Sequence, residues 1–225
     1  MVIKNNIAKF SALLVPYNAK LIAVSKTHPA EKIQEAYAGG QRLFGENRVQ
    51  EMQEKQPMLP SDVEWHLIGH LQRNKVKLIA PFVSLIHSAD SLRLLEEINK
   101  QGEKFNRIIH CLLQVFIATE ETKFGLDARE VRGLVCSSQM ASLTHIQIDG
   151  LMGIASLSEN KEQIRAEFRS LSTLFKELRH LPLPPNVQMR ELSMGMSSDY
   201  AMALEEGSTL IRIGTAIFGE RGSTQ

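Results

Sequence analysis

Cysteine is nearly missing: the chain has two in 225 residues, Cys111 and Cys136. Each lies in an apolar run with no CxxC or Cys/His spacing beside it, which argues against a disulfide framework or a zinc site. Both read as reduced core residues. Excess charge is missing too. Lys plus Arg number 26 against 25 Asp plus Glu, a formal net charge of +1, whereas a nucleic-acid surface needs clustered positive charge to meet phosphates. No apolar run reaches the roughly 20 residues of a membrane span, and the N-terminus MVIKNNIAKF lacks the apolar core of a secretory signal. A soluble, cytoplasmic protein that binds neither nucleic acid nor membrane is expected. No GxGxxG turn follows the first strand-like run, no low-complexity segment or sequence repeat occurs, and the Pro-rich piece from Leu181 to Pro185 is too short to link domains.

What the chain has is a sizeable core, 43% hydrophobic with 23% charged, and a repeating order of elements. A helix is expected over residues 2 to 14, where Val2, Ile3, Ile7, Phe10, Leu13 and Leu14 fall on one stripe. Strands are expected at 21–24, 42–45, 64–69, 82–88, 107–117, 146–154, 187–194 and 209–213. The helices between them are expected at 29–38, 71–80, 91–101 (Asp90 as N-cap, Gly102 as stop), 128–137, 160–179 and 199–206. Eight strands alternating with helices over short connections predict one α/β domain, residues 1–225, built as a single (β/α)8 TIM-type barrel with an extra N-terminal helix. An open doubly wound sheet is the alternative.

Barrels of this class build their sites at the C-terminal ends of the strands. The first apolar run, Leu21 to Val24, ends in Ser25-Lys26-Thr27. A lysine there either snorkels outward, pairs with a carboxylate, or is kept neutral as a nucleophile toward a carbonyl. After strand seven comes SMGMSSDY, from Ser193 to Tyr200; after strand eight comes RIGTAIFGER, from Arg212 to Arg221. Serine hydroxyls and backbone N–H groups on these two turns suit a phosphate cradle, although Ser197 or Ser198 could equally cap the helix near Asp199. Closure of the barrel sets strand eight beside strand one. A ligand with both a phosphate and an aldehyde would satisfy both ends, and pyridoxal 5'-phosphate is the economical candidate. Arg212 is then placed to face its pyridine nitrogen, or else forms a strand-end ion pair with Glu205 or Glu206. His66 and His70 stand four apart, without a third ligand at metal spacing, so they read as polar rim or groups beside the cofactor rather than as zinc ligands. Met152, Met194 and Met196 read as lining or packing.

The motifs AVSKTHP, FGENRVQE, WHLIGHLQRNK, GLMGI, LSMGMSSDYAMALEEGST and RIGTAIFGER, in that order, resemble the pyridoxal phosphate homeostasis protein family, whose fold is similar to the N-terminal barrel of alanine racemases. The resemblance implies that Lys26 forms the Schiff base with the cofactor, that Ser197, Gly214 and Thr215 meet its phosphate, that Arg212 faces the pyridine nitrogen, and that Asn47 lines the ring side. Two departures stand out: Phe124 in ATEETKFGL, which keeps Lys123 and Gly125, and Arg48 after FGEN. The expected function is a pyridoxal 5'-phosphate carrier or regulator in vitamin B6 and amino-acid homeostasis, with no catalytic residues of its own. Apo enzymes that use the cofactor are its expected acceptors, and a monomer or weak dimer its expected state. A racemase-like enzyme is the alternative, but racemases of this barrel type draw a tyrosine acid/base from an additional β domain, and Tyr17, Tyr37 and Tyr200 all fall on loops or helices.

Overall fold

The computed structural model describes residues 2–118 and 125–220. Its strands are β1 (Lys20–Val24), β2 (Leu43–Glu46), β3 (Glu64–Leu67), β4 (Leu85–Ala89), β5 (Ile109–Val115), β6 (Ile146–Gly153), β7 (Val187–Ser193) and β8 (Leu210–Ile213). They pair in parallel and in chain order, and β8 returns to β1 with Ile22 opposite Arg212, so the sheet is a closed barrel. That closure excludes the open doubly wound sheet. The helices are α1 (Val2–Leu14), α2 (Ala30–Ala38), α3 (Val49–Lys55), α4 (Val76–Ile79), α5 (Leu92–Lys104), α6 (Ala128–Val135), α7 (Ser138–Ala141), α8 (Lys161–Arg179), α9 (Tyr200–Glu205) and α10 (Thr215–Phe218).

Parallel strands buried on both faces require two cores. Outside the barrel, Ala23, Phe44 and Trp65 pack against helix residues such as Ile33, Met52 and Ile79. Inside it, Ile22, Leu85, Leu112, Met152 and Leu210 form a separate cluster capped by Leu43. The two-residue period of a strand decides which side chains point inward. Along β1, Lys20 reaches the lower mouth, Ile22 the inner cluster, and Val24 and then Lys26 the upper cavity. On β8 the same period gives Leu210, Arg212 and Gly214. A one-residue slip of either strand would turn the whole set outward.

The N-terminal helix is where the apolar stripe places it, with Ile3, Ile7, Phe10 and Leu14 buried. Val2 is 73% exposed and does not join them. Phe10 meets Tyr200 edge-on at 5.5 Å between ring centroids, and Asn6 donates to the Ile217 carbonyl at 3.1 Å, which ties α1 to α9 and α10.

Several local expectations are corrected. The sequence reading left out α3, whose short apolar set, Val49 and Met52, is cut off by Pro57. Residues 71–80 are not one helix: Gln72 is extended and a 3-10 turn at Arg73–Lys75 precedes the four-residue α4. Gly102 does not stop α5, which runs on to Lys104. A Cβ there would lie 2.6 Å from the His145 carbonyl, so the glycine serves close packing. Asp90 is not the cap of α5 either; the cap position is Ser91, whose hydroxyl donates to Asp90 at 3.2 Å. Cys111 is buried as expected, but Cys136 is exposed. No described helix is long and apolar enough to cross a membrane.

Candidate functional site

The C-terminal ends of the strands enclose a cavity of about 560 Å³. Lys26, Asn47, Ser197, Arg212, Gly214 and Thr215 all line it, so the side chains proposed from the sequence are brought to one place. Val24, Ile68, Val115, Phe116 and Ile154 add an apolar wall. Lys123 and Phe124 lie outside the described residues.

Lys26 sits in a turn held by a buried polar latch that the sequence reading missed. Glu46, at the end of β2, is fully buried and accepts from the Ser25 hydroxyl and from Lys55, both at 2.7 Å. The Lys55 ammonium also donates to the Ser25 carbonyl and to Glu51, each at 3.0 Å, so its three protons have three acceptors. Glu51 in turn accepts from the Thr27 backbone N–H at 2.7 Å. Thr27 has φ 66°, a left-handed conformation that a β-branched residue adopts only when its surroundings impose it. The latch therefore ties both flanks of Lys26 to α3. Burial raises the Glu46 carboxyl above its ordinary range, with Lys55 pulling it back, whereas the N–H of Thr27 and the Lys55 ammonium hold Glu51 below its ordinary range against the opposing effect of burial. The spacing of Glu51 and Lys55, four apart on a helix, was the available signal.

Arg212 is 4% exposed. It donates to the Ser193 hydroxyl at 2.5 Å and to the Gly153 carbonyl at 3.0 Å. The alternative reading of Arg212, an ion pair with Glu205 or Glu206, does not hold: these two carboxylates pair with Arg165 and Arg169 on α8. Among the described residues no carboxylate is hydrogen-bonded to Arg212. Burial brings its guanidinium down to about 10, with the charge of Asp199 acting in the other direction. Below it, Ser193 contacts His87 Nδ1 at 3.0 Å, and His87 Nε2 contacts His66 Nδ1 at 2.9 Å. Burial pushes both imidazoles down, His66 to about 3.

The turn after β7 is shaped by Gly195, at φ 92°, where a Cβ would come within 2.6 Å of Ala203. Asp199 occupies the cap position of α9 but makes no side-chain bond to the helix. Its carboxylate turns back to the Met196 N–H at 2.5 Å, and Ser197 and Ser198 are left exposed at the cavity rim. The capping alternative for those serines is thereby removed. His66 and His70 do not share a face. β3 ends at Leu67, so His66 is inside the barrel, while His70 stands on the rim 3.4 Å from Asp90. Among the described residues no group of three or more His, Cys, Asp or Glu side chains is placed to hold a metal ion. Met152 and Met194 are packed in the cores and Met196 lines the cavity.

The family model described as alanine racemase, N-terminal domain, matches residues 2–222. A pyridoxal phosphate homeostasis protein of Aquifex aeolicus (strain VF5) is 44% identical over 204 residues, covering 90% of this chain and 87% of its own length. The solved structure of PipY from Synechococcus elongatus PCC7942 without PLP superposes with a TM-score of 0.89 at 42% identity, and that with PLP bound with 0.86 at 41%. Both comparisons cover 96% of this chain and 100% of the PipY chain. On sequence and fold together, the chain belongs to the pyridoxal phosphate homeostasis protein family, within the alanine racemase N-terminal domain barrels.

Proposed function

We propose that this protein binds pyridoxal 5'-phosphate in the upper cavity as a Schiff base of Lys26 and serves vitamin B6 and amino-acid homeostasis by holding and releasing the cofactor, without strong turnover of its own. The observation that supports this most is the state of Arg212. A buried guanidinium with two of its N–H groups committed to Ser193 and Gly153, and no carboxylate hydrogen-bonded to it among the described residues, suits a neutral ring nitrogen as its further acceptor. The remaining donors match the other parts of the group. Ser197 and Thr215 offer hydroxyls and Gly214 a backbone without a side chain for the phosphate, Asn47 faces the ring side, and the Lys26 amine meets the aldehyde. When bound, pyridoxal phosphate supplies an electron-withdrawing ring conjugated to the amine it holds. An arginine that stays charged near neutral pH at the ring nitrogen keeps that nitrogen unprotonated and weakens the withdrawal. Reduction of the protein with borohydride followed by peptide mapping is expected to find the pyridoxyl phosphate mass on the peptide containing Lys26. The same mass on Lys75 or Lys123 would remove the central claim.

The racemase-like alternative needs a second acid/base group on the face opposite Lys26. Tyr37 donates to Asp62 at 2.7 Å on the outside of α2, Tyr200 packs on Phe10, and none of the three tyrosines lines the cavity. Holoprotein incubated with the enantiomers of alanine, serine and glutamate is therefore expected to leave chiral composition unchanged while it delivers pyridoxal phosphate to an apo enzyme. Multiple turnovers that vanish in a Lys26→Ala variant would favour the enzyme.

A further inference from the structure

We propose that the barrel interior carries a one-way hydrogen-bond chain, Arg212 to Ser193 to His87 to His66, which fixes both imidazoles as neutral Nε2–H tautomers and makes Ser193 and His87 positioning residues for the Arg212 guanidinium. The direction follows from counting protons. Arginine only donates, so at 2.5 Å the Ser193 oxygen must accept from Arg212. The serine hydroxyl has one proton, and the polar atom beside it is His87 Nδ1 at 3.0 Å. If Ser193 gives that proton to Nδ1, His87 carries its own on Nε2 and donates to His66 Nδ1 at 2.9 Å. His66 then keeps its proton on Nε2, at the lower cavity that it lines with Lys20, Glu64, His110, Asp149 and Glu191.

The reverse order is costly. Were His87 Nδ1 to donate to Ser193, the serine proton would have no second acceptor among the described residues, in a side chain that is fully buried. The electrostatics favour the same sense. In the proposed order every dipole turns its negative end toward Arg212, so the chain solvates a buried cation that has no carboxylate hydrogen-bonded to it among the described residues. Protonating either ring would instead place a second positive charge in the barrel interior, and burial together with Arg212 already holds His87 well below its ordinary value. The contact at Ser193 and that at the Gly153 carbonyl use different nitrogens of the guanidinium, which fixes its plane.

The positioning role rests on the cofactor reading given above; the direction of the chain does not. The test is nitrogen-15 NMR of the histidine rings in the full-length protein, with and without added pyridoxal phosphate. Both His66 and His87 are expected as Nε2–H tautomers, unchanged between about pH 6 and 9, the range in which an ordinary histidine would titrate. An Nδ1–H tautomer on either ring, or a midpoint near the ordinary value, overturns the chain whether or not the cofactor binds. Ser193→Ala, which fits the space, removes the hydroxyl donor. It is expected to let His87 and the distant His66 interconvert between tautomers, to weaken pyridoxal phosphate binding about tenfold, and to shift the absorption band of the Lys26 adduct. Tautomers that stay fixed in that variant would sink the chain. An unchanged band and affinity would sink the positioning role. A wild-type protein that shows the tautomers but binds no pyridoxal phosphate would count against the cofactor reading alone.

Discussion

Replacing Lys55 by methionine is expected to cost about 3–5 kcal/mol of folding free energy, the usual result of removing one partner from a buried ion pair. With about 2–4 °C of melting temperature per kcal/mol for a chain of this size, the midpoint should fall by roughly 6–20 °C. The size follows from what is left behind. Glu46 is fully buried, one of its oxygens already lacks a partner, and the other would keep only the Ser25 hydroxyl. The carboxyl would escape the worst of this by taking up a proton, which is the direction burial already pushes it. Glu46→Gln should be milder, since the amide keeps an acceptor for Lys55 and Ser25 while Glu51 still balances the ammonium charge. Denaturant melts of the two variants beside wild type give the comparison. A loss below about 1 kcal/mol for Lys55→Met would mean that the pair behaves as a solvated surface bridge. The local consequence falls on Lys26, because the same variant releases the Ser25 carbonyl and loosens the clamp on Thr27, whose left-handed backbone needs an outside restraint.

How far the site was legible follows from how each residue signals itself. Lys26 and Arg212 were readable because each stands out against an apolar run. The strand period that carries Lys20, Ile22, Val24 and Lys26 down one face is a property of the sequence alone. The two turns after the last strands were readable as a polar lining, and the family resemblance singled out Ser197, Gly214 and Thr215 on them, all of which line the cavity. The same period, applied to β3, β4 and β7, would have placed His66, His87 and Ser193 inside the barrel. His66 was read instead as polar rim or a group beside the cofactor, because a polar side chain at a strand end suggests solvent when its partners are on other strands. His87 and Ser193 are 106 positions apart in sequence, and only barrel closure brings them together. The latch was hidden for a similar reason: Glu46 pairs with Lys55 across α3, and α3 itself was missed because its apolar face consists of only a few residues. Gly102 shows the opposite failure. It looked like a helix stop, but its lack of a side chain serves the approach of the His145 carbonyl from the next unit.

Mild acid is expected to destabilise the barrel well before its carboxylates titrate. The unfolded chain binds a proton on His66 near 6.5, and the folded one only near 3, so between these values the unfolded state holds the extra proton. The stabilisation is thus fully present above about pH 6.5 and drains away as the pH falls, by about 1.4 kcal/mol per pH unit for each such histidine. His87, lowered by burial, His66 and Arg212, acts in the same direction. From pH 6.5 to 4.5 His66 alone should remove roughly 2 kcal/mol, a sizeable share of the 5–15 kcal/mol typical of a folded domain. Carboxylates oppose or join this only near the bottom of the window. Glu46, raised by burial, is protonated more readily folded than unfolded and so works against the loss, while Glu51, lowered by its partners, begins to contribute only below about pH 4.5. Denaturation at a series of pH values, on wild type and on a His66→Phe/His87→Phe double variant, separates the terms. Removing both rings also takes away the acceptor of the buried Ser193 hydroxyl, so the variant should start about 1–3 kcal/mol below wild type near pH 7, yet lose most of the slope above pH 4.5. Equal slopes in the two proteins would mean that the barrel interior already admits a proton, and the buried pair would then have to be read as charged.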